Sequence, residues 1–379
     1  MPLDPAAILE EARTSLGGGD FGAFGDPGWE SRFEQVVTAV DQAPLHLVGR
    51  LMTKQELLRA LRTRLLLARA LDEQPDIGDE PIEAPILVTG PARSGTSILF
   101  ELLWLDPSVR APLGWEALYP VPSEGLASQA QRLAAGECEQ EFWADVQPEF
   151  AAIHELRSDL PVECVTLTAP CFAGPHWPMV VAATVVASDT GVFYDFHRRI
   201  LQVLQHGGTP RTWLLKTPSH LMTLGPLFEA YPDAWVVQTH RDPAKTMPST
   251  VSTTAMVQWM RTDEVDLATL GPLIDAVFSA ALNGTAAQRQ AVELPDRFVD
   301  VHFTELLKAP VETLRRAYDQ MGRSFSAEHA ERIEHYLREK PKGKFGAHKY
   351  TAEEWGFDVE DLRQRLAPYI NHFGVSLES

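Results

Sequence analysis

Three features of this chain predict an α/β fold with a P-loop-type central parallel sheet flanked by helices, and with helical N-terminal and mid-chain insertions. The first is Gly90-Pro91-Ala92-Arg93-Ser94-Gly95-Thr96-Ser97, a glycine-spaced turn between an apolar run and a helix-compatible segment. The second is a set of short apolar stretches that do not alternate with polar residues, as expected of strands buried on both faces. The third is the placing of helical segments between those stretches, which a parallel sheet with right-handed crossovers requires.

In chain order, residues 1–80 read as helical. The clearest case is 54–72, where Leu57, Leu58, Leu61, Leu65, Leu66 and Leu67 make a broad apolar face. Glycines at 17–19 and between 25 and 28 mark turns ahead of it. Strand signals follow at 86–88, 213–215, 235–237 and 298–301, and helix signals at 98–105, 223–230, 248–260, 271–283 and 311–320. Between 112 and 209 there are helix-like patches but no second strand–turn–helix signature. The expected organisation is a helical extension over 1–80 packed on the core, then one α/β domain over 81–379. A helical insertion over about 115–205 is expected to cap the active site.

Charge narrows the partners. With 33 basic and 52 acidic residues among 379, the formal net charge is −19, which argues against nonspecific binding of nucleic acid and against docking on anionic membranes. Any polyanion must therefore sit in a local basic pocket. Cys138, Cys164 and Cys171 are too few for a disulfide framework and match no zinc spacing, so a reducing, cytoplasmic setting is expected. Residues 1–19 lack the basic start and apolar core of a signal peptide. The longest stretch free of Asp, Glu, Lys and Arg, 164–188, is broken by Pro170, Pro175 and Pro178, so no integral membrane segment is expected there.

Three segments carry the chemistry. In the Gly90–Ser97 turn, Thr96 stands where the ATP-binding P-loop has lysine, and Arg93 supplies the missing cation. Successive backbone N–H groups and a helix N-terminus would cradle an anion, with Ser94, Thr96 and Ser97 adding hydroxyls. The second segment places Arg241 at the carboxyl end of a buried strand and Ser249 eight residues on, an arrangement suited to a second phosphate. Pairing of Arg241 with Asp242 is the alternative. The third is 340–349, the densest basic cluster of an acidic chain, whose Gly343 and Gly346 suit a loop able to fold over an anionic ligand.

Together these motifs resemble sulfotransferases that use 3′-phosphoadenosine-5′-phosphosulfate (PAPS), in the bacterial branch sharing motifs with tyrosylprotein sulfotransferases. The likeness runs from about Pro85 to Gly374 and is carried by 91–97, Lys216-Thr-Pro-Ser-His220, Thr239-His-Arg-Asp-Pro-Ala with Ser249, Asp300-Val-His-Phe-Thr-Glu-Leu, and Lys342-Gly-Lys-Phe-Gly with His348-Lys-Tyr. The resemblance implies that Arg93, Ser94, Gly95, Thr96 and Ser97 grip the 5′-phosphosulfate and that Arg241 and Ser249 hold the 3′-phosphate. It also implies that Phe303, on the strand that follows, lies near adenine, and that Lys342, Gly343 and Lys344 close over the nucleotide, although their order departs from the basic-Lys-Gly signature of the cytosolic enzymes.

Sulfuryl transfer is an in-line displacement that relies on positioning and charge stabilisation, with Arg93 and the loop N–H groups neutralising the leaving group. No metal is required by this scheme. A hydroxyl acceptor needs a general base. Glu116, in Gly114-Trp-Glu-Ala, matches the catalytic glutamate of tyrosylprotein sulfotransferases after a two-residue insertion and ranks first; capping of a helix N-terminus is its structural alternative. His154 ranks second, with Glu155, Asp159 or Glu163 to orient it. Lys216 is placed to contact the transferred group, while His220 is read as a helix cap. The expected acceptor is a hydroxyl, or as second choice an amine, on an apolar small molecule or lipid-like compound, from the aromatic richness of Phe142-Trp143, Cys171-Phe172, His176-Trp177 and Phe193-Tyr194. A homodimer is left open. The competing readings are an atypical P-loop kinase, which would need Mg²⁺ and ATP, and a nucleotide-binding P-loop protein without turnover.

Overall fold

The computed structural model describes residues 2–152, 155–181, 190–339 and 351–378. Its chain divides into two units. The first comprises Met1–Ile82, Pro112–Pro210 and Ala255–Val265, and the second Glu83–Ala111, Arg211–Thr254 and Asp266–Ser379.

The second unit is built on five parallel strands: β1 (Ile86–Thr89), β2 (Val109–Arg110), β3 (Thr212–Lys216), β4 (Trp235–His240) and β5 (Phe298–His302), in the order β2-β3-β1-β4-β5. The four apolar stretches legible in the sequence are β1, β3, β4 and β5. The two-residue β2 was missed, being too short to carry a hydrophobic pattern. Ile86, Leu87, Val88, Leu214, Leu215, Val236 and Val237 are all fully buried, because helices cover both faces. Each such side chain contributes about 1.5–3 kcal/mol of burial free energy. The core continues through Leu99, Leu102 and Leu103 of the helix Thr96–Trp104 and Leu314 and Ala317 of the helix Pro310–Gln320.

The strand order sets where a ligand can sit. From β1 the chain leaves toward the β2 edge, and from its neighbour β4 toward the β5 edge. Beyond the carboxyl ends of two adjacent strands with opposite exits lies a crevice, the usual ligand position in an open α/β sheet.

The helices predicted at 248–260 and 271–283 are parts of longer ones, Pro243–Trp259 and Leu267–Gln290, which run through Pro248 and Pro272. By length and composition the second passes as a membrane-spanning candidate, with a mean hydropathy of 1.3 and 22% of that window buried. Polar contacts tie its later turns into the second unit. Asn283 Nδ2 donates to Arg365 O at 3.0 Å, and Arg289 pairs with Asp300.

The first unit is helical. Helices Pro5–Ser15, Trp29–Gln42 and Leu47–Glu73 share a core with residues of the mid-chain stretch, where Phe172, Trp177 and Val180 pack against Ile8, Phe33, Val36 and Leu61. Phe172 stacks on Trp177 at 5.7 Å and meets Phe33 edge-on at 5.2 Å. Phe172 and Trp177, expected in an acceptor wall, fill this core, and Phe193 and Tyr194 are buried as well, all four 6% exposed or less. Their aromatic character is explained by packing.

Buried charge accompanies that core. Arg261 Nη2 donates to Glu56 Oε1 at 2.6 Å, and His176 Nε2 lies 3.9 Å from Glu56 Oε2. Burial pushes the His176 imidazole down to about 4, against the pull of Glu56, so it is neutral at pH 7.

Candidate active site

The Gly90–Ser97 turn leaves the end of β1 and wraps tightly against β4. Gly90 has φ +140°, and a Cβ there would lie 2.2 Å from Thr239 Oγ1 and 2.7 Å from Thr239 O, so only glycine lets the loop approach this strand. Gly95, at φ +91°, caps the helix Thr96–Trp104, and a Cβ there would meet the Phe303 ring at 2.7 Å. Arg93 has φ +65°, the left-handed region that a non-glycine residue seldom occupies. Strain of this kind clusters at ligand sites, where the surrounding structure enforces it.

Side chains brace the turn from below. Ser94 Oγ donates to Pro91 O and lies against Thr239 Oγ1, while Ser94 N donates to Pro91 O at 3.2 Å. The Ser94 hydroxyl and N–H both support the loop's own shape. Thr239 Oγ1 donates to Thr89 O at 3.2 Å, and Thr89 Oγ1 to Thr217 O at 3.1 Å, which links the ends of β4, β1 and β3. At the end of β3, Lys216 is 2% exposed and its Nζ donates to Ser97 Oγ at 3.2 Å. A buried ammonium beside the first turn of the loop helix makes this end of the sheet positive. His220 is buried in the short turn Pro218–Met222 that follows.

Arg241 follows β4 directly. Its Nη1 donates to Arg93 O at 2.9 Å, and its guanidinium lies over the Phe303 ring, 4.1 Å from the centroid. Four predicted positions, Arg93, Gly95, Arg241 and Phe303, are thereby in contact. Phe303 itself opens the helix Phe303–Lys308 just after β5 ends at His302, and so is not on the strand as expected. Ser249, on the second turn of the helix Pro243–Trp259, is fully buried, and among the described residues its Oγ has no hydrogen-bond partner. An orphaned buried hydroxyl is costly without a ligand to satisfy it.

The acidic partner of Arg241 is Glu378, not Asp242. Arg241 Nε and Nη2 donate to the two Glu378 carboxylate oxygens at 2.8 and 2.9 Å. Asp242, fully buried, pairs with Arg363. Behind Arg241, His240 Nε2 bonds to Asp300 at 2.9 Å and its Nδ1 to Tyr369 Oη at 3.2 Å, and Tyr369 is also bonded to the Arg241 main chain. Burial would raise the Asp300 carboxyl, but hydrogen bonds from His240 and Arg289 outweigh it and hold the group well below the usual carboxylate range. The strand end that carries Arg241 is fixed by this network. Of its members, Arg289, Arg363, Tyr369 and Glu378 had no local sequence signal, since each is brought in from a distant helix or its flank.

Glu116 belongs to the first unit. It lies 8% exposed in the helix Gly114–Leu118, and its Oε2 accepts the Leu113 N–H at 3.0 Å, the capping geometry. Asp159, offered as a partner for His154, pairs with Arg157 at 2.6 Å. His154 itself, with Lys342, Gly343 and Lys344, lies outside the described residues. Among the described residues no group of three or more His, Cys, Asp or Glu side chains could hold a metal ion.

A parallel sheet carries at its carboxyl edge a strained, glycine-shaped, cationic turn, with a second arginine in contact with it. The chain belongs to the sulfotransferase family, whose model, described as "Sulfotransferase family", matches residues 85–327. It is 24% identical over 282 residues, 72% of this chain and 71% of the relative, to omega-hydroxy-beta-dihydromenaquinone-9 sulfotransferase Stf3 of Mycobacterium bovis, and equally to that of Mycobacterium tuberculosis. Among solved structures, sulfotransferase STF9 from Mycobacterium avium matches with a TM-score of 0.85 at 26% identity, over 100% of this chain and 98% of that one. Sulfotransferase STF1 from Mycobacterium tuberculosis H37Rv matches with 0.74 at 26% identity, over 96% and 98%. The protein is an enzyme, a transferase of sulfuryl groups that draws on a sulfonate donor.

Proposed function

We propose that the second unit binds PAPS across the β1/β4 crevice and that the enzyme sulfates a hydroxyl on an apolar, lipid-like acceptor. The observation that carries this reading is the contact between the two anion seats, Arg241 Nη1 donating to Arg93 O. Two anionic groups on one nucleotide need two such seats close together, and an ATP site would need only the first.

The residues fit that donor. Ser249 Oγ, buried and without a partner among the described residues, offers a hydrogen bond to a 3′-phosphate held by Arg241, and the Gly95 position leaves room at Phe303 that a side chain would fill. When bound, PAPS supplies a sulfuryl group on a good leaving group, the 5′-phosphate of adenosine 3′,5′-bisphosphate (PAP). Arg93, Gly95, Thr96 and Ser97 would hold the 5′ side through the loop N–H groups and the guanidinium, steadying charge as it grows there. Lys216, parked on Ser97, is assigned to the transferred group, and Phe303 to the adenine side. Lys342, Gly343 and Lys344 are assigned to closure over the nucleotide.

Glu116 is our first choice as general base for the acceptor hydroxyl, with His154 second. The lipid-like acceptor is supported by the name of the relative that acts on an omega-hydroxy-dihydromenaquinone. A cysteine count of three, too few for a disulfide framework, supports a reducing, cytoplasmic setting. The test is a mass-spectrometric screen of purified enzyme and PAPS against hydroxylated isoprenoid, sterol and phenolic acceptors. A gain of one sulfuryl group on an apolar alcohol is expected, and transfer confined to small polar acceptors would remove the acceptor reading.

A further inference from the structure

Glu378 is bound as a ligand would be. It meets Arg241 side-on, one carboxylate oxygen on Nε at 2.8 Å and the other on Nη2 at 2.9 Å, the fork geometry that arginine also offers a phosphate. With Arg93 O on Nη1, all three guanidinium nitrogens are engaged. The main chain at 378 is fastened independently of the side chain: Glu378 N donates to Asp242 Oδ2 at 2.7 Å, and Glu378 O accepts from Arg363 Nη2 at 2.6 Å. The pair is only partly buried, with 19% and 23% of the two side chains exposed, so solvent reaches the carboxylate where it sits. Eight positions on from Arg241, the Ser249 hydroxyl has no hydrogen-bond partner among the described residues.

We infer that Glu378 is the protein's own occupant of the 3′-phosphate seat, displaced when nucleotide binds and returning as PAP leaves. The inference rests on the assignment of Arg241 to that phosphate. A phosphate monoester carries up to two charges at neutral pH and has three acceptor oxygens. It therefore outcompetes a carboxylate for Arg241 and can engage Ser249 as well. Before binding, the carboxylate keeps the guanidinium ordered over Phe303, so little conformational freedom is left to lose. After transfer it is a tethered competitor at high effective concentration, which favours departure of PAP. A nucleotide without a 3′-phosphate has no need to displace it.

Titration calorimetry of the full chain with PAP and with AMP tests this, using wild type, Glu378→Gln, Glu378→Ala and Arg241→Ala. Removing the competitor should tighten PAP by about three- to tenfold in both Glu378 variants and leave AMP unchanged. Stopped-flow release of PAP should slow by a similar factor. Unchanged or weaker PAP binding in both Glu378 variants, with affinity lost in Arg241→Ala, overturns the inference and leaves the donor site standing. Equal tightening of AMP and PAP also overturns it, since the effect would not depend on the 3′-phosphate. PAP affinity retained in Arg241→Ala overturns the donor-site assignment and the inference together.

Discussion

Lys216 Nζ donates to Ser97 Oγ at 3.2 Å, joining residues 119 positions apart at the ends of β3 and of the phosphate turn. The ammonium is held at the edge of the sheet where the donor's reacting group would lie. PAP lacks that group, so Lys216→Ala should keep PAP affinity within about threefold while lowering turnover about 100-fold or more. Calorimetry and steady-state kinetics on the same preparation separate the two effects. Equal losses in both would make Lys216 a nucleotide-binding residue.

Glu116 should show a similar split for a different reason, because its assigned work is on the acceptor. Glu116→Gln keeps an oxygen to accept the Leu113 N–H, so the cap survives, yet it cannot take a proton. Turnover is expected to fall about 10²–10⁴-fold with nucleotide affinity unchanged. If His154→Ala shows this phenotype and Glu116→Gln does not, the base is His154.

The turn tolerates no side chain at its first glycine. Gly90→Ala would set a methyl group 2.2 Å from Thr239 Oγ1 in a backbone conformation that L-residues avoid. Overpacking and backbone strain together should cost about 3 kcal/mol or more. Urea unfolding would show a lowered midpoint; an unchanged midpoint would mean that the turn stands off β4.

Acid should weaken the protein before its carboxylates titrate. The His176 value is lowered by burial to about 4 from 6.5, so between those values the unfolded chain binds a proton that the folded chain refuses. Stability therefore rises with pH across this window, and on acidification from above pH 7 to pH 5 the loss should be about 2 kcal/mol. His176→Phe should flatten the dependence. A wild-type stability flat from pH 7 to pH 5 would contradict the burial of a neutral imidazole.

What the sequence disclosed and what it hid follow from locality. The four longer strands were legible because burial on both faces makes a strand uniformly apolar, and the tight turn through Gly90, Arg93 and Gly95 because it is one contiguous segment. Arg241 was placed correctly at a strand end, but the alternative pairing with Asp242 is not the one that forms. Asp242 is adjacent in sequence, yet it is claimed by Arg363, while Glu378 reaches Arg241 across 137 positions. Ser94 reads in the sequence as one of three hydroxyls grouped around the turn, and the structure adds its contacts with Pro91 and Thr239, which no local pattern discloses. Phe172 and Trp177 read equally well as pocket or core, since aromatic content does not say which way a ring faces.

The central claim is that two arginine seats, at Arg93 and Arg241, hold one nucleotide. Its most direct measurement is the equilibrium affinity for PAP in wild type, Arg93→Ala and Arg241→Ala, alongside ATP with Mg²⁺. The account predicts that PAP binds wild type far more tightly than ATP and that each substitution weakens PAP by about 100-fold, close to 3 kcal/mol for a charge-assisted bidentate contact. PAP affinity unchanged in both variants, or a preference for ATP with Mg²⁺, would contradict it.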